Sequence, residues 1–287
     1  MRTALVFGGS GQIGRSLLDR LGRDGWRVEA LSRESRPALP GVHWLRGDLD
    51  HAGGLPQQVD AIFSCGPLGH FARWYARSRI ACPRVVAFGS TSIEVKQDSA
   101  DPQERDVAAR LREGERVVLE AADARDAAAT LLRPTLIYGV GGDRTLSRIA
   151  AIARRWHRFV LPRDATGLRQ PVHAEDLAEA AFAAFAAPAA HGHAYALPGG
   201  ETLSYCEMIT RVLAVLEPPA SLHMVPAALF RTLLSLAHTA GIAREFGDAA
   251  VARMRQDLVF DMAPASRDFG YAPRPFQPTA GMFDAAR

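Results

Sequence analysis

Residues 4–21, ALVFGGSGQIGRSLLDRL, decide the fold. The run Thr3–Phe7 is apolar and too short for a helix, so it reads as a buried strand. It ends at Gly8, and Gly8, Gly11 and Gly14 lead into Gln12–Leu21, whose pattern is helical. A strand that turns this tightly into a helix needs residues without Cβ, so that backbone N–H groups can approach a pyrophosphate. The helix N-terminus adds its partial positive charge at the same point. Gly8, Ser10, Gly11, Gln12, Ile13 and Gly14 are therefore the expected contacts of a dinucleotide phosphate.

Outward from this loop, Arg27–Leu31, Val42–Leu45, Ala61–Ser64 and Val85–Phe88 are short apolar runs bounded by turn residues or charges, and each reads as a strand. Gln103–Ala124, rich in Arg, Glu and Ala, reads as a long helix, and Ala128–Arg133 as a strand stopped by Pro134. Strands alternating with helices predict an α/β fold, a Rossmann-type doubly wound parallel sheet covered on both faces. The division expected is 1–165 for the dinucleotide-binding domain, its sheet completed by segments around 166–198, and 199–287 for a small, mostly helical substrate lobe. Helices are expected over Asp176–Ala187, Ser204–Leu216, Pro226–Ala240 and Glu245–Asp257, and an irregular Pro-rich tail over Ala272–Pro278. Ser204 and Glu207 have the Ser-x-x-Glu spacing of a capping box.

The tip of the second strand selects the cofactor. NAD sites usually place an acid there to hold the ribose 2′-hydroxyl, whereas NADP sites place an arginine nearby. This chain has Ser32 then Arg33 and no acid at the tip, and Glu29 lies earlier, inside the strand. The planar fork of Arg33 suits a 2′-phosphate. NADP is expected in preference to NAD. Cys65 and Gly66 close the fourth strand beside the expected nicotinamide, where Gly66 lets the cofactor pass close to the backbone.

With these pieces in place, the chain resembles the extended, or atypical, short-chain dehydrogenase/reductases, the group of NAD(P)-dependent epimerases and dehydratases. Gly8–Gly14 is similar to the family's Gly-x-x-Gly-x-x-Gly loop, and RGDLD (46–50) to its adenine-contacting Asp-Leu, here Asp48 and Leu49. RVVAFGSTSIE (84–94) resembles the strand that delivers the catalytic Ser/Thr, which falls on Thr91. LLRPTLIYG (131–139) is similar to the strand and turn behind the nicotinamide, with Pro134 as a contact, and RQPVHAEDLA (169–178) and LPGGETLSYCEM (197–208) match later segments. The resemblance implies a small hydroxyl- or carbonyl-bearing substrate, with nucleotide sugars as one class. Arg169 and Arg274 are then the expected clamps on a substrate diphosphate.

The chain departs from the family at one place. Such enzymes carry Tyr-x-x-x-Lys on the helix after the Ser/Thr strand, where lysine and ribose lower the tyrosine pKa for proton exchange. Lys96 is the only lysine, and Ser92 stands four residues before it. Four residues after the five tyrosines stand Arg79, Gly142, Gly199, Ile209 and Pro275. With Glu115 aligned on the family's acidic position, Val107 and Leu111 occupy the Tyr and Lys places, and no tyrosine lies between Tyr75 and Tyr138. Either another group carries the proton, with Thr91 and Tyr138 as the expected catalytic residues and Glu94, Lys96 and His173 as further candidates, or the chain binds NADP(H) without turnover as a sensor or structural module.

Composition excludes other classes. The formal charge of +3 is spread along 287 residues, so no nucleic-acid partner is expected. Three cysteines at irregular spacing suggest a reducing compartment and no metal site, and the start of the chain has no leader-like pattern, which together predict a cytoplasmic location. Pro226–Ala240, interrupted by Arg231 and His238, is too short to span a bilayer, so no membrane partner is expected. A homodimer is compatible with these features.

Overall fold

The computed structural model describes residues 1–51, 53–141, 143, 145–239 and 248–284. Its centre is a seven-stranded parallel sheet. Six of its strands are β1 (Thr3–Phe7), β2 (Arg27–Ser32), β3 (Val42–Arg46), β4 (Ala61–Ser64), β5 (Arg84–Phe88) and β6 (Ala128–Pro134). The seventh is the edge strand Ala194–Leu197, which pairs with β6. In space the order runs from that edge through β6, β5, β4, β1 and β2 to β3. The direction of winding reverses between β1 and β4, which opens a crevice at their C-terminal ends.

The strands read as unbroken apolar runs because both sheet faces are covered. Successive side chains point to opposite faces. In β1, Ala4 and Val6 join the core under α1 (Gln12–Arg23), while Leu5 and Phe7 join the core under α2 (Leu68–Arg77). The first face is completed by the Ala-rich helix Ala174–Ala186, which packs Leu177, Ala181 and Ala184 beside Leu17 and Leu21. The second is completed by Pro102–Asp123, which contributes Val118 and Ala122. Pro102 at the start of that helix and Asp101, whose carboxylate accepts the Gln103 N–H at 2.8 Å, set its first turn.

A separate apolar cluster holds the second half. It packs the helices Leu146–Trp156 and Tyr205–Ala214 against a parallel pair, Arg158–Pro162 with Ser221–Val225. Ser204 caps its helix as expected, its hydroxyl accepting the Glu207 N–H at 3.1 Å, but Glu207 turns to Arg211 at 2.9 Å instead of closing the capping box. Helices α2, Ser92–Val95 and Leu146–Trp156 were not expected from the sequence. The helix predicted over 245–257 runs only over Asp248–Arg253, and residues 245–247 lie outside the described residues. The tail 272–278 is irregular, as its prolines predict. Among the described residues no helix is long and apolar enough to cross a membrane.

Candidate active site

The phosphate loop has the shape its glycines predict. Gly8 takes φ +74°, and the Gly11 N–H donates to the Gly8 carbonyl at 2.9 Å. A Cβ on Gly8 would lie 2.8 Å from the backbone of Cys65 and Gly66, and one on Gly14 would lie 2.1 Å from the Gly8 carbonyl oxygen. The helix start therefore sits on the strand ends with no room for a side chain. No side chain caps α1 and no acid occupies its first turn, so its leading N–H groups remain open to an anion. The Gln12 side-chain oxygen is buried without a partner in the same place. This cradle fits a nicotinamide dinucleotide.

At the adenosine end, Ser32 is buried and its hydroxyl donates to the Glu34 carbonyl at 2.8 Å. Glu29 is spent between Arg27 (2.9 Å) and His43 (2.5 Å). Arg33 is exposed, and Arg46 faces Ser32 across the β2–β3 register. Neither arginine has an ion pair or side-chain hydrogen bond among the described residues, whereas Arg36 is tied to Glu34 at 2.8 Å. Asp48 accepts the N–H groups of Asp50 (3.0 Å) and His51 (2.8 Å), which hold its carboxyl below the usual range, and Leu49 packs on the core under α2.

A cleft of about 900 Å³ begins at Gln12, Ile13 and Cys65 and continues along Ser90, Thr91, Ser92 and Thr135. These residues follow the C-terminal ends of β1, β4, β5 and β6. The Thr91 hydroxyl donates to the Pro134 carbonyl at 3.2 Å and keeps its lone pairs. Ser90 Oγ accepts the Ser92 N–H at 3.1 Å, and the Ser92 hydroxyl has no hydrogen-bond partner among the described residues. Burial pushes the Cys65 thiol up to about 12, so it stays protonated and acts as a small apolar wall.

Tyr138, Arg274, His173 and Glu94 lie outside the cleft lining, and Arg169 reaches it with most of its donors already used. Tyr138 is buried between His173 and Phe276, with its hydroxyl aimed at the Pro275 carbonyl and outside the cleft lining, because its strand turns that ring into the second core. Arg274 is held by Asp176 (2.8 Å) and Glu175 (3.0 Å) at the start of the Ala174–Ala186 helix, on another surface. Arg169 reaches the cleft wall, but its Nη1 donates to the carbonyls of Leu168 and Gln256 and its Nη2 to that of Arg253. His173 is the N-cap of the Ala174–Ala186 helix, Nδ1 accepting the Glu175 N–H at 3.2 Å. Glu94 pairs with Arg133 at 3.1 Å, and Arg133 in turn grips the buried Glu115 through two bonds.

Other cleft residues escaped the sequence reading. Arg253, Met254, Leu258 and Phe260 carry no motif and reach the site only through the folding of the C-terminal segment. Lys96 lines the same cleft and is the one member of that wall that its rarity had marked.

Comparison with known proteins agrees with this geometry. Residues 4–197 match the model of the NAD dependent epimerase/dehydratase family. The 2-alkyl-3-oxoalkanoate reductase of Stenotrophomonas maltophilia is 27% identical, with 94% of each chain covered. The ceramide reductase of Caulobacter vibrioides is 30% identical over 60% of this chain and 57% of its own. Among solved structures, the UDP-glucuronic acid 4-epimerase of Bacillus cereus in complex with NAD superposes with a TM-score of 0.70 at 14% identity, covering 94% of this chain and 93% of that one, a likeness of fold.

Proposed function

The chain belongs to the NAD dependent epimerase/dehydratase family, and from that premise we propose that it is an NADPH-dependent reductase of a small oxo compound. The observation that carries the reading is the continuity of the phosphate cradle with a hydroxyl-lined cleft at the strand ends. The relative matched over nearly its whole length is named as an oxoalkanoate reductase, and the partial relative is also named as a reductase. The free Arg33 and Arg46 beside Ser32 favour a 2′-phosphate, and Glu29, already paired, offers nothing to a ribose hydroxyl.

A bound nicotinamide supplies the hydride. The chain's own residues place the carbonyl. Ser92 donates its unspent hydroxyl hydrogen to the carbonyl oxygen, and Thr91 redirects its hydrogen from Pro134 to the same atom as negative charge develops there; the alkoxide left by hydride addition takes its proton through the Ser92 hydroxyl, which solvent water at the cleft mouth reprotonates. Leu136, Met254, Leu258 and Phe260 give the substrate's alkyl part an apolar wall and keep water away. The test is a fluorescence titration with NADPH, followed by turnover of a panel of 3-oxo acids, ketones and nucleotide sugars. Thr91→Ala combined with Ser92→Ala lowers kcat by about 10²–10⁴-fold while NADPH binding persists. Unchanged kcat in the double variant refutes these roles.

A second reading, NADP(H) binding without turnover, is favoured by the lack of a Tyr-x-x-x-Lys pair and by the placement of Tyr138 in the core. Saturable NADPH binding with no oxidation across the whole panel selects it.

A further inference from the structure

Where the cleft wall is made by Lys96 and the segment 253–260, three cations, Lys96, Arg169 and Arg253, stand together. Glu104, in the first turn of the Pro102–Asp123 helix, is the one buried acid there. It accepts the Ser99 hydroxyl at 2.8 Å and the Arg253 guanidinium, and the Lys96 ammonium stands 3.4 Å from the same Oε1. Burial raises the Glu104 pKa, but the Ser99 bond and the two cations outweigh it and keep the acid ionised.

Arg169, only 6% exposed, has three backbone carbonyls and the Tyr205 ring (5.1 Å) for neighbours, and no carboxylate within ion-pair distance among the described residues. Burial and the charge of Arg253 both depress its pKa. The remaining acids are occupied. Asp143, on the cleft wall, accepts N–H groups at the start of the Leu146–Trp156 helix, and Asp257 accepts the Leu168 N–H. One carboxylate therefore bonds both Lys96 and Arg253, while Arg169 has no carboxylate within ion-pair distance among the described residues and feels the charge of Asp257 only from farther off. Lys96 has three donors and Arg253 five, of which each spends one on Glu104. A guanidinium buried without an ion-paired carboxylate is costly, so an incoming anion beside Arg169 and the unspent donors of Lys96 and Arg253 relieves that cost.

We propose that Lys96, Arg169 and Arg253 seat an oxyanion of the substrate, and that this anion is the carboxylate of an oxo acid. The carboxylate assignment rests on the reductase reading above, because it places the acid's carbonyl against Thr91 and Ser92. The seat itself does not. The apolar Met254, Leu258 and Phe260 beside the cations suit an alkyl acid better than a sugar, whose hydroxyls they leave unpaired. A diphosphate would use the same chemistry, so the experiment separates the two.

Calorimetric titration of the NADP⁺-saturated protein with hexanoate, hexanamide and UDP reads the seat directly. Hexanoate is expected to bind at least about tenfold tighter than hexanamide, the worth of one charge-assisted hydrogen bond. The gap narrows as salt rises from about 0.05 to 0.5 M. Arg253→Gln and Lys96→Gln each shrink it to under about threefold while NADP⁺ still binds, and Arg253→Lys restores part of it. Equal affinity for acid and amide in the unaltered protein overturns the proposal. So does a preference that survives both glutamine variants. UDP binding tighter than hexanoate overturns the carboxylate and leaves a diphosphate seat. Hexanoate binding without any NADP⁺ binding upholds the seat and refutes the dinucleotide reading. Should both variants fail to fold, the acid–amide gap and its salt dependence in the unaltered protein decide.

Discussion

Replacing Gly14 by alanine tests the premise on which the site rests. The added methyl would lie 2.1 Å from the Gly8 carbonyl oxygen and 2.6 Å from Gly9 Cα, and real Cβ atoms essentially never come within 3.0 Å of such neighbours. The obstruction is backbone, not a flexible side chain. Helix α1 must therefore back away from the end of β1 by about 0.9 Å, the difference between 3.0 and 2.1 Å. Hydrogen bonds near 2.9 Å from its leading N–H groups to a pyrophosphate would then stretch to about 3.8 Å, beyond useful range. Losing two charge-assisted bonds at about 1.5–3 kcal/mol each costs about 3–6 kcal/mol, or about 10²–10⁴-fold in Kd at about 1.4 kcal/mol per decade. The strain on folding is smaller, about 1–3 kcal/mol, so the variant remains folded. Nicotinamide fluorescence titration reads the first number and urea unfolding the second. Gly22→Ala, in the same helix with nothing within 4 Å of its Cβ, is the control. It is expected to add about 0.5–1 kcal/mol of stability and to leave Kd unchanged. A Gly14→Ala protein that binds NADPH as tightly as the unaltered one refutes the cradle.

Arg33→Ala is expected to weaken NADPH binding by about 10–100-fold, the loss of one charged contact, without changing NADH binding. Parallel titrations check it, and an equal loss for both nucleotides refutes the 2′-phosphate role. Glu115→Ala leaves the Arg133 guanidinium half-buried without its two-bond partner, and unfolding midpoints should fall by an amount worth about 3–5 kcal/mol. Burial holds the His173 pKa below its usual 6.5. The unfolded chain therefore takes up the proton first, so this stability is complete above pH 6.5 and drains away as pH falls below it, at up to about 1.4 kcal/mol per pH unit. His173→Asn keeps the cap acceptor and should flatten that part of the stability–pH curve.

Strand positions in the first half were legible because burial on both faces demands apolar runs, and Thr3–Phe7 and Ala61–Ser64 emerged with the boundaries the sequence implied. The loop was legible for a similar reason, since close backbone approach leaves glycine alone at Gly8 and Gly14. Arg158–Pro162 and Ser221–Val225 were not, because each finds its partner about 60 residues away and neither alternates cleanly. Side-chain destination was the least legible. Tyr138 and Arg274 lie in segments that resemble the family, but a ring on a two-residue strand and a long guanidinium stem take the nearest available partners. Lys96 and Arg253 meet over Glu104 only after folding, and no spacing in the chain announces it.

The cleft draws its walls from separate stretches of the polypeptide. Residues matching the family stop at 197, while Arg253 through Phe260 lie beyond that point. The nucleotide cradle is thus encoded wholly inside the family match, whereas one wall of the cleft beside it is written outside that match. Exchanging the late segment between relatives should alter that wall and leave the nucleotide grip alone, a partial modularity open to selection and to the protein engineer alike.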